Sequence, residues 1–327
     1  MKRLFFASAL AVILSACGNQ QPQQPEYHPQ QEISNEEIDF IPEEVGSITF
    51  ATMAALDSFP IFLAYEMGFF DDEGLEVNLM PFFSAPDRDA AFQTTPGIDG
   101  LVFDLVALSM YQQGGIDVVA VSSSIGLTSI LGGQDVYYLQ DLDDRSVLIS
   151  LNTAMDYILA RALESVELTQ ENVETLLVPP LPVRLEMLVA GQADAAVLPE
   201  PFATMAIEEG FSLVTTTWEL GINPFAYGFR REVVENRPQD VLAFYRALNR
   251  AVEFLNTADR EEFIDMIIDV VGYPPHTRDT LAIPAFPYFA PPQLHHVESV
   301  LQFSRDRGLL TAELTPQQAI STILAER

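Results

Sequence analysis

From Ser47 onward, short apolar runs alternate with amphipathic stretches. Ile48–Ala51 reads as a strand. Asp57 or Ser58 then sits where a helix begins, with Pro60 in its first turn, where a missing N–H costs nothing. The apolar residues between Phe62 and Phe70 give that helix one wide buried face, ending near Gly68. A strand over Glu76–Phe82, a short helix over Asp87–Gln93, a strand over Leu101–Leu105, a helix to Tyr111 and a strand over Val118–Ser122 follow. The alternation resumes after Tyr137. Strands are expected at Val147–Ser150, Val173–Val178, Ala195–Leu198 and Leu213–Thr217, with helices at Ala154–Leu168, Val183–Ala190 and Phe202–Glu209 between them. The remainder reads as helical, over Gln239–Asn256, Glu261–Val271, Gln293–Arg307 and Pro316–Glu326. Alternating strands and helices imply mostly parallel sheets with right-handed crossovers. Two such runs imply two α/β lobes, with a ligand cleft at the carboxyl ends of the strands.

Before Ser47 the pattern changes. Lys2 and Arg3 precede an apolar run, Leu4 to Leu14, that is too short to span a bilayer and ends in small residues, as a secretory signal peptide does. Leu14-Ser15-Ala16-Cys17 resembles the bacterial lipobox, which implies a signal peptide over residues 1–16 and a lipidated Cys17. Cys17 is the only cysteine, so no disulfide is expected despite export. Residues 17–46, rich in Gln, Pro and Glu, cannot bury enough apolar surface to offset their ordering entropy and read as a flexible linker. The formal net charge is −31, and Lys2 is the only lysine. A body this acidic repels phosphate backbones and anionic headgroups, so nucleic acid is not an expected partner.

Catalytic chemistry is poorly supplied. His28 lies in the linker, and His276, His295 and His296 lie in the C-terminal helical part. Adjacent residues do not share a helix face, so His295 and His296 make a poor metal pair. There is no H-E-x-x-H, G-x-S-x-G, P-loop or G-x-G-x-x-G. Neither a catalytic role nor a metal or cofactor is expected.

Ser58-Phe59-Pro60-Ile61-Phe62-Leu63-Ala64, Gly68-Phe69-Phe70 and Glu73-Gly74-Leu75-Glu76-Val77 resemble the opening of solute-binding proteins of ABC importers. The subgroup is the NMT1/THI5-like one, which includes binders of sulfonates, taurine, nitrate and thiamine-pyrimidine precursors. Arg88-Asp89-Ala90-Ala91-Phe92 and Gly191-Gln192-Ala193-Asp194-Ala195-Ala196, followed by Glu200-Pro201-Phe202, are similar to its later motifs. The resemblance implies a two-lobed α/β fold of the type II periplasmic-binding-protein kind, each lobe a mostly parallel sheet flanked by helices. Residues 47–134 and 226–327 would form lobe one and 135–225 lobe two, with crossovers near Gln134–Leu139 and Trp218–Ala226. It implies a small solute, an ABC permease with its ATPase, extracytoplasmic location, membrane contact through the lipid only, and a monomer. Pyrimidine-synthesising enzymes of this fold depend on active-site His and a Cys-rich segment, which this chain lacks.

Within that frame the loops after strands supply the pocket. Asp57, Ser58 and Phe59 follow the first strand, Asp57 being read first as a helix cap and second as a solute contact. Phe103, Asp104, Ser122 and Ser123 end later strands, and Asn152, Thr153, Asp156 and Tyr157 open a second-lobe helix. Glu200 follows a buried strand, and Asn223 and Phe225 lie on the return crossover. None of these loops carries Arg or Lys, the nearest being Arg88 and Arg145. Acids interleaved with aromatics favour a flat amino-bearing heterocycle, thiamine-pyrimidine-like or flavin-like, over an anion. The Pro-rich, aromatic segment Ile283–Pro292 reads first as an extended strap on lobe one and second as a pocket wall or a permease contact. A sensory lipoprotein on the same fold, or a periplasmic enzyme, are the competing classes; an adjacent permease gene would separate the first from the importer reading, and turnover of a bound solute the second.

Overall fold

In the computed structural model, which describes residues 46–325 with 83 excepted, the chain forms two five-stranded sheets. The expected leader 1–16, Cys17 and the linker up to residue 45 lie outside the described residues. Gly46 already belongs to the body: its N–H donates to Asp240 Oδ1 at 2.9 Å. In chain order the strands are β1 (Ser47–Met53), β2 (Glu76–Phe82), β3 (Gly100–Asp104), β4 (Val118–Ser123), β5 (Thr128–Gly132), β6 (Arg145–Ile149), β7 (Val173–Leu177), β8 (Ala195–Pro199), β9 (Ser212–Thr216) and β10 (Phe225–Arg230).

The first sheet has the order β2-β1-β3-β10-β4 and the second β7-β6-β8-β5-β9. The two share one plan, three parallel neighbours followed by one antiparallel strand and an outer strand. β10 runs antiparallel to β3 and β4, and β5 antiparallel to β8 and β9. Neither antiparallel strand is predicted from the sequence. Each is a short run containing glycine: Thr128–Gly132 falls within the expected lobe one, ahead of the expected crossover, and Phe225–Arg230 begins inside the expected return crossover. The passages between sheets therefore fall at 124–127 and 217–224, and the first lies about ten residues earlier in the chain than expected.

Apolar spacing explains the layers. Helix Pro238–Thr257 buries Val241, Phe244, Tyr245, Leu248, Val252 and Leu255, a three-and-four repeat, against one face of the first sheet. There Phe50 meets Phe244 and Phe229 with ring centroids 4.8 and 5.4 Å apart. Helix Leu105–Gln113 and helix Leu294–Asp306 cover the opposite face. Helices Leu181–Val189 and Phe202–Glu208 pack on the second sheet in a smaller separate cluster. No helix among the described residues is long and apolar enough to cross a membrane.

Two C-terminal helices come out differently from their pattern. Glu261–Val271 breaks into a 3-10 turn at Arg260–Glu262, a short helix Ile264–Ile267 and a π turn Ile268–Gly272. The segment from Pro316 is helical only to Ala319, after which Ile320 bridges Ala120 and Ser321 N–H donates to the Ala120 carbonyl at 2.8 Å. An unpaired edge of β4 outcompetes further helix there. The strap is as expected: Phe286 exchanges hydrogen bonds with Asn256, and Ser123 N–H donates to the Ala290 carbonyl at 2.9 Å.

Gly228, in the middle of β10, is required by close approach. A Cβ there would stand 2.4 Å from the Phe103 ring and 2.5 Å from the Val119 carbonyl. Gly228→Ala is expected to lower the unfolding free energy by about 1–3 kcal/mol, the usual cost of overpacking. Urea denaturation checks this through a lower midpoint at unchanged slope.

Candidate functional site

The carboxyl ends of β1, β3 and β4 form one rim. After β1 the chain enters a 3-10 turn, Leu56–Ser58, and then helix Phe59–Glu66. That helix start has no side-chain cap, so Asp57 is not the cap it was first read to be. Its backbone carbonyl accepts from the Tyr227 hydroxyl, and its side chain takes the Ser58 hydroxyl at 3.4 Å. Burial pushes the Asp57 carboxyl above its usual range, and the nearby Arg88 guanidinium opposes the shift.

Asp104 ends β3 and caps helix Leu105–Gln113, accepting from Ala107 N–H at 2.9 Å. The Ala154 N–H of the second sheet's first helix is also directed at it. Burial dominates, and its pKa is pushed up to about 6. Arg88, set aside in the sequence because it lies outside the loops, reaches in from helix Ala85–Thr94 and acts on both acids. Its guanidinium is engaged by Asp89 Oδ1 at 2.6 and 2.9 Å, and the Tyr111 hydroxyl donates to the same oxygen at 2.6 Å. Arg88 is thus paired first with Asp89, and its charge only partly offsets the burial of Asp57 and Asp104.

At the end of β4, Ser122 Oγ bonds the Tyr245 hydroxyl at 3.1 Å. Ser123 is half-buried, its N–H held by the strap. Asn223 fastens the crossover: its Nδ2 donates to the Ser124 carbonyl at 2.8 Å, and its Oδ1 accepts from Phe225 N–H at 3.1 Å. The hydroxyls of Thr52, in β1, and Ser124, just past β4, are buried and have no hydrogen-bond partner.

The second rim is built from the ends of β6, β7 and β8. Asn152 has φ +58°, and Thr153 caps helix Ala154–Glu164 by accepting from Met155 N–H at 3.2 Å. Glu200 follows β8, accepts from Thr204 N–H at 3.2 Å, faces the Tyr273 hydroxyl, and has its pKa raised by burial. Beneath this rim lies Arg184, fully buried. It donates to the carbonyls of Val178 (3.0 and 2.9 Å) and Val197 (2.6 Å) and to the Ser150 hydroxyl. Burial alone draws its pKa down to about 10, because no carboxylate faces it. It ties three strand ends together.

Four expected contacts turn out to be packing residues. Phe59, Phe103 and Tyr157 are buried in the apolar clusters. Asp156 is fully buried and saturated, accepting from Asn152 N–H (3.1 Å), Gln170 Nε2 (2.7 Å) and Arg307 Nη2 (3.0 Å). Neighbouring residues at a strand end point to opposite faces, so Phe103 enters the core where Asp104 does not. Phe225 alone among the expected aromatics stays half-buried. Arg88, Arg184 and Tyr273 were not expected. Arg88 carried a signal, its place on the helix after β2, whereas Tyr273 arrives only through tertiary contact. Two shallow hollows of about 530 and 520 Å³ lie elsewhere, one under Ile283–Ala285 and one beside Gln112, Asp117 and Arg231. Among the described residues no three His, Cys, Asp or Glu side chains converge as metal ligands would.

Two mixed sheets joined by two crossovers define a two-lobed α/β architecture of the type II periplasmic-binding-protein kind. Residues 42–271 match the model of the NMT1-like family, and the chain belongs to that family. It is similar to the alkanesulfonate-binding protein SsuA of Xanthomonas axonopodis pv. citri, solved bound to MOPS, at 18% identity over 84% of this chain and 98% of that one, with a TM-score of 0.71. The periplasmic aliphatic sulphonate binding protein SsuA of Escherichia coli gives 16% identity over 86% and 99%, with a TM-score of 0.74. The periplasmic nitrate-binding protein NrtA of Synechocystis PCC 6803 gives 15% over 83% of each chain, with a TM-score of 0.64. No curated protein matches at the level of sequence.

A raised carboxyl pKa means that ionisation costs more in the folded than in the unfolded chain. The cost is absent below about pH 4, grows as pH rises, and is complete above about pH 6. Asn is an equally good cap. Asp104→Asn is therefore expected to be more stable than the parent by about 2–3 kcal/mol at pH 7.5, with the gain vanishing at pH 4. Paired denaturation curves at the two pH values check it; a gain independent of pH contradicts the assignment.

Proposed function

We propose that the chain is an extracytoplasmic, lipid-anchored receptor of an ABC importer. It captures a small amino-bearing heteroaromatic solute between its lobes and passes it unchanged to a permease and its ATPase. The body from Gly46 onward would carry the site, residues 17–45 the leash and Cys17 the lipid. The family and the fold support the receptor reading. One observation carries the choice of solute. Asp57, Asp104 and Glu200 lie at or just past the ends of β1, β3 and β8, each with its carboxyl pushed up by burial, while the Arg88 guanidinium is already engaged by Asp89. Buried carboxylates gain most from N–H donors, and a flat amino-substituted ring supplies several with little charge to desolvate. Only Phe225 offers an accessible ring edge, so the acids rather than stacking support this choice.

An anionic solute is the second reading, favoured by what the similar structures are named for: sulfonates and nitrate. Calorimetry of the full chain against a 4-aminopyrimidine, riboflavin, taurine and nitrate separates the two. Binding of the aminopyrimidine, weakened about tenfold or more by Glu200→Gln, is the expected result. Tight taurine or nitrate binding with no heterocycle bound overturns it. For the anchor, Cys17→Ser is expected to abolish incorporation of labelled palmitate and release the protein from the membrane fraction.

A further inference from the structure

Contacts between the lobes differ in kind on the two faces of the molecule. On one face, helix Ala154–Glu164 of lobe two shares a continuous apolar cluster with helices Leu105–Gln113 and Leu294–Asp306. Tyr157 donates to Ser299 Oγ at 2.9 Å and meets the Phe303 ring edge-on at 5.5 Å, and Arg307 pairs with the buried Asp156. Separating that face would expose apolar surface and strand a buried carboxylate. The opposite face has no shared apolar core. The lobe-one cluster around Phe50 and Phe244 and the lobe-two cluster around Leu188 and Leu198 stay separate. What joins them is polar: His276 Nε2 stands 3.2 Å from Glu208 Oε2, and the Tyr273 hydroxyl faces the Glu200 carboxylate. The His276–Glu208 contact is solvent-exposed and exchanges for water at small net cost.

Both ends of this polar bridge are fixed to their own lobes. The Tyr273 ring is buried in the lobe-one core, and its N–H donates to the Ile268 carbonyl at 3.1 Å. Glu200 and Glu208 bracket helix Phe202–Glu208, and Glu200 is held by Thr204 N–H. Any parting of the lobes on this face must break Tyr273–Glu200 and His276–Glu208 together.

We infer that Tyr273 and His276 are the clasp of the cleft, holding lobe two shut on this face while the apolar face acts as the pivot. Tyr273 also faces Glu200, a carboxylate of the proposed solute site. The consequence for solute rests on that reading: a solute amino group shares Glu200 with Tyr273, and the clasp sets how fast the solute leaves.

The test needs no solute. The full chain with Cys17→Ser carries spin labels at two exposed positions, Gln192→Cys in lobe two and Glu262→Cys in lobe one. Tyr273→Phe, which keeps the ring and the packing, combined with His276→Ala is expected to shift the label–label distance distribution to longer values. Tyr273→Phe alone should speed dissociation of any solute found by calorimetry about fivefold, with association little changed. A distribution unchanged in the double variant overturns the clasp, whether or not a solute is found. A shifted distribution beside a screen in which nothing binds supports the clasp and removes only the solute reading.

Discussion

The antiparallel strand inside each sheet is the constraint on which the rest of the structure depends. β10 returns from the second sheet and lies between β3 and β4, pairing Phe225 with Asp104 and Tyr227 with Val102. Because it runs against its neighbours, its start lies at their carboxyl ends, so the chain crossing and the functional rim share one edge. β5 does the same in the second sheet, placing Thr128 opposite Pro199, next to Glu200. A wholly parallel sheet would need its crossover at the far end and would leave the two rims unconnected. Gly228 follows from this: a central strand inserted between Phe103 and the β4 backbone has no room for a side chain there.

Charge burial is the second organising fact, and it is handled in two ways. Arg184 and Asp156 are fully buried and satisfied by hydrogen bonds from several elements, which makes them fastenings. Asp57, Asp104 and Glu200 are incompletely compensated, and their carboxyls are held above the ordinary range. Groups that pay desolvation without full compensation collect at sites that receive something. The unpartnered hydroxyls of Thr52 and Ser124 are of the same kind, both at ends of first-sheet strands.

Local pattern carried most of the βα units. The β2 bounds coincide with the expected ones, and the helices of both lobes begin within a few residues of their expected starts. What it could not carry was pairing at a distance. Thr128–Gly132 and Phe225–Arg230 lack the alternation of a one-sided strand because both faces are covered, and their glycines read as turns. The same limit governs the site. Topology places Asp104 and Glu200 correctly at strand ends, because any residue after a parallel strand lies at that edge. It does not say which way a side chain points, and Phe103 and Tyr157 were therefore assigned to a pocket when they belong to the core. Tyr273 reaches Glu200 from just past a π turn, Ile268–Gly272, that no local signal announces.

The net charge of −31 acts on a different length scale from the cleft. An acidic body draws cations and repels sulfonates as they approach. At physiological ionic strength that field decays over about 8 Å, so it alters encounter rates more than it decides what stays bound. Discrimination must come from groups that water cannot screen. Among the candidate site residues those are three carboxyls raised by burial and one guanidinium paired with Asp89. Under the proposed reading, an anion would have to compete with Asp89 for Arg88, whereas an uncharged ring bearing amino groups would add donors to carboxylates whose burial is incompletely compensated.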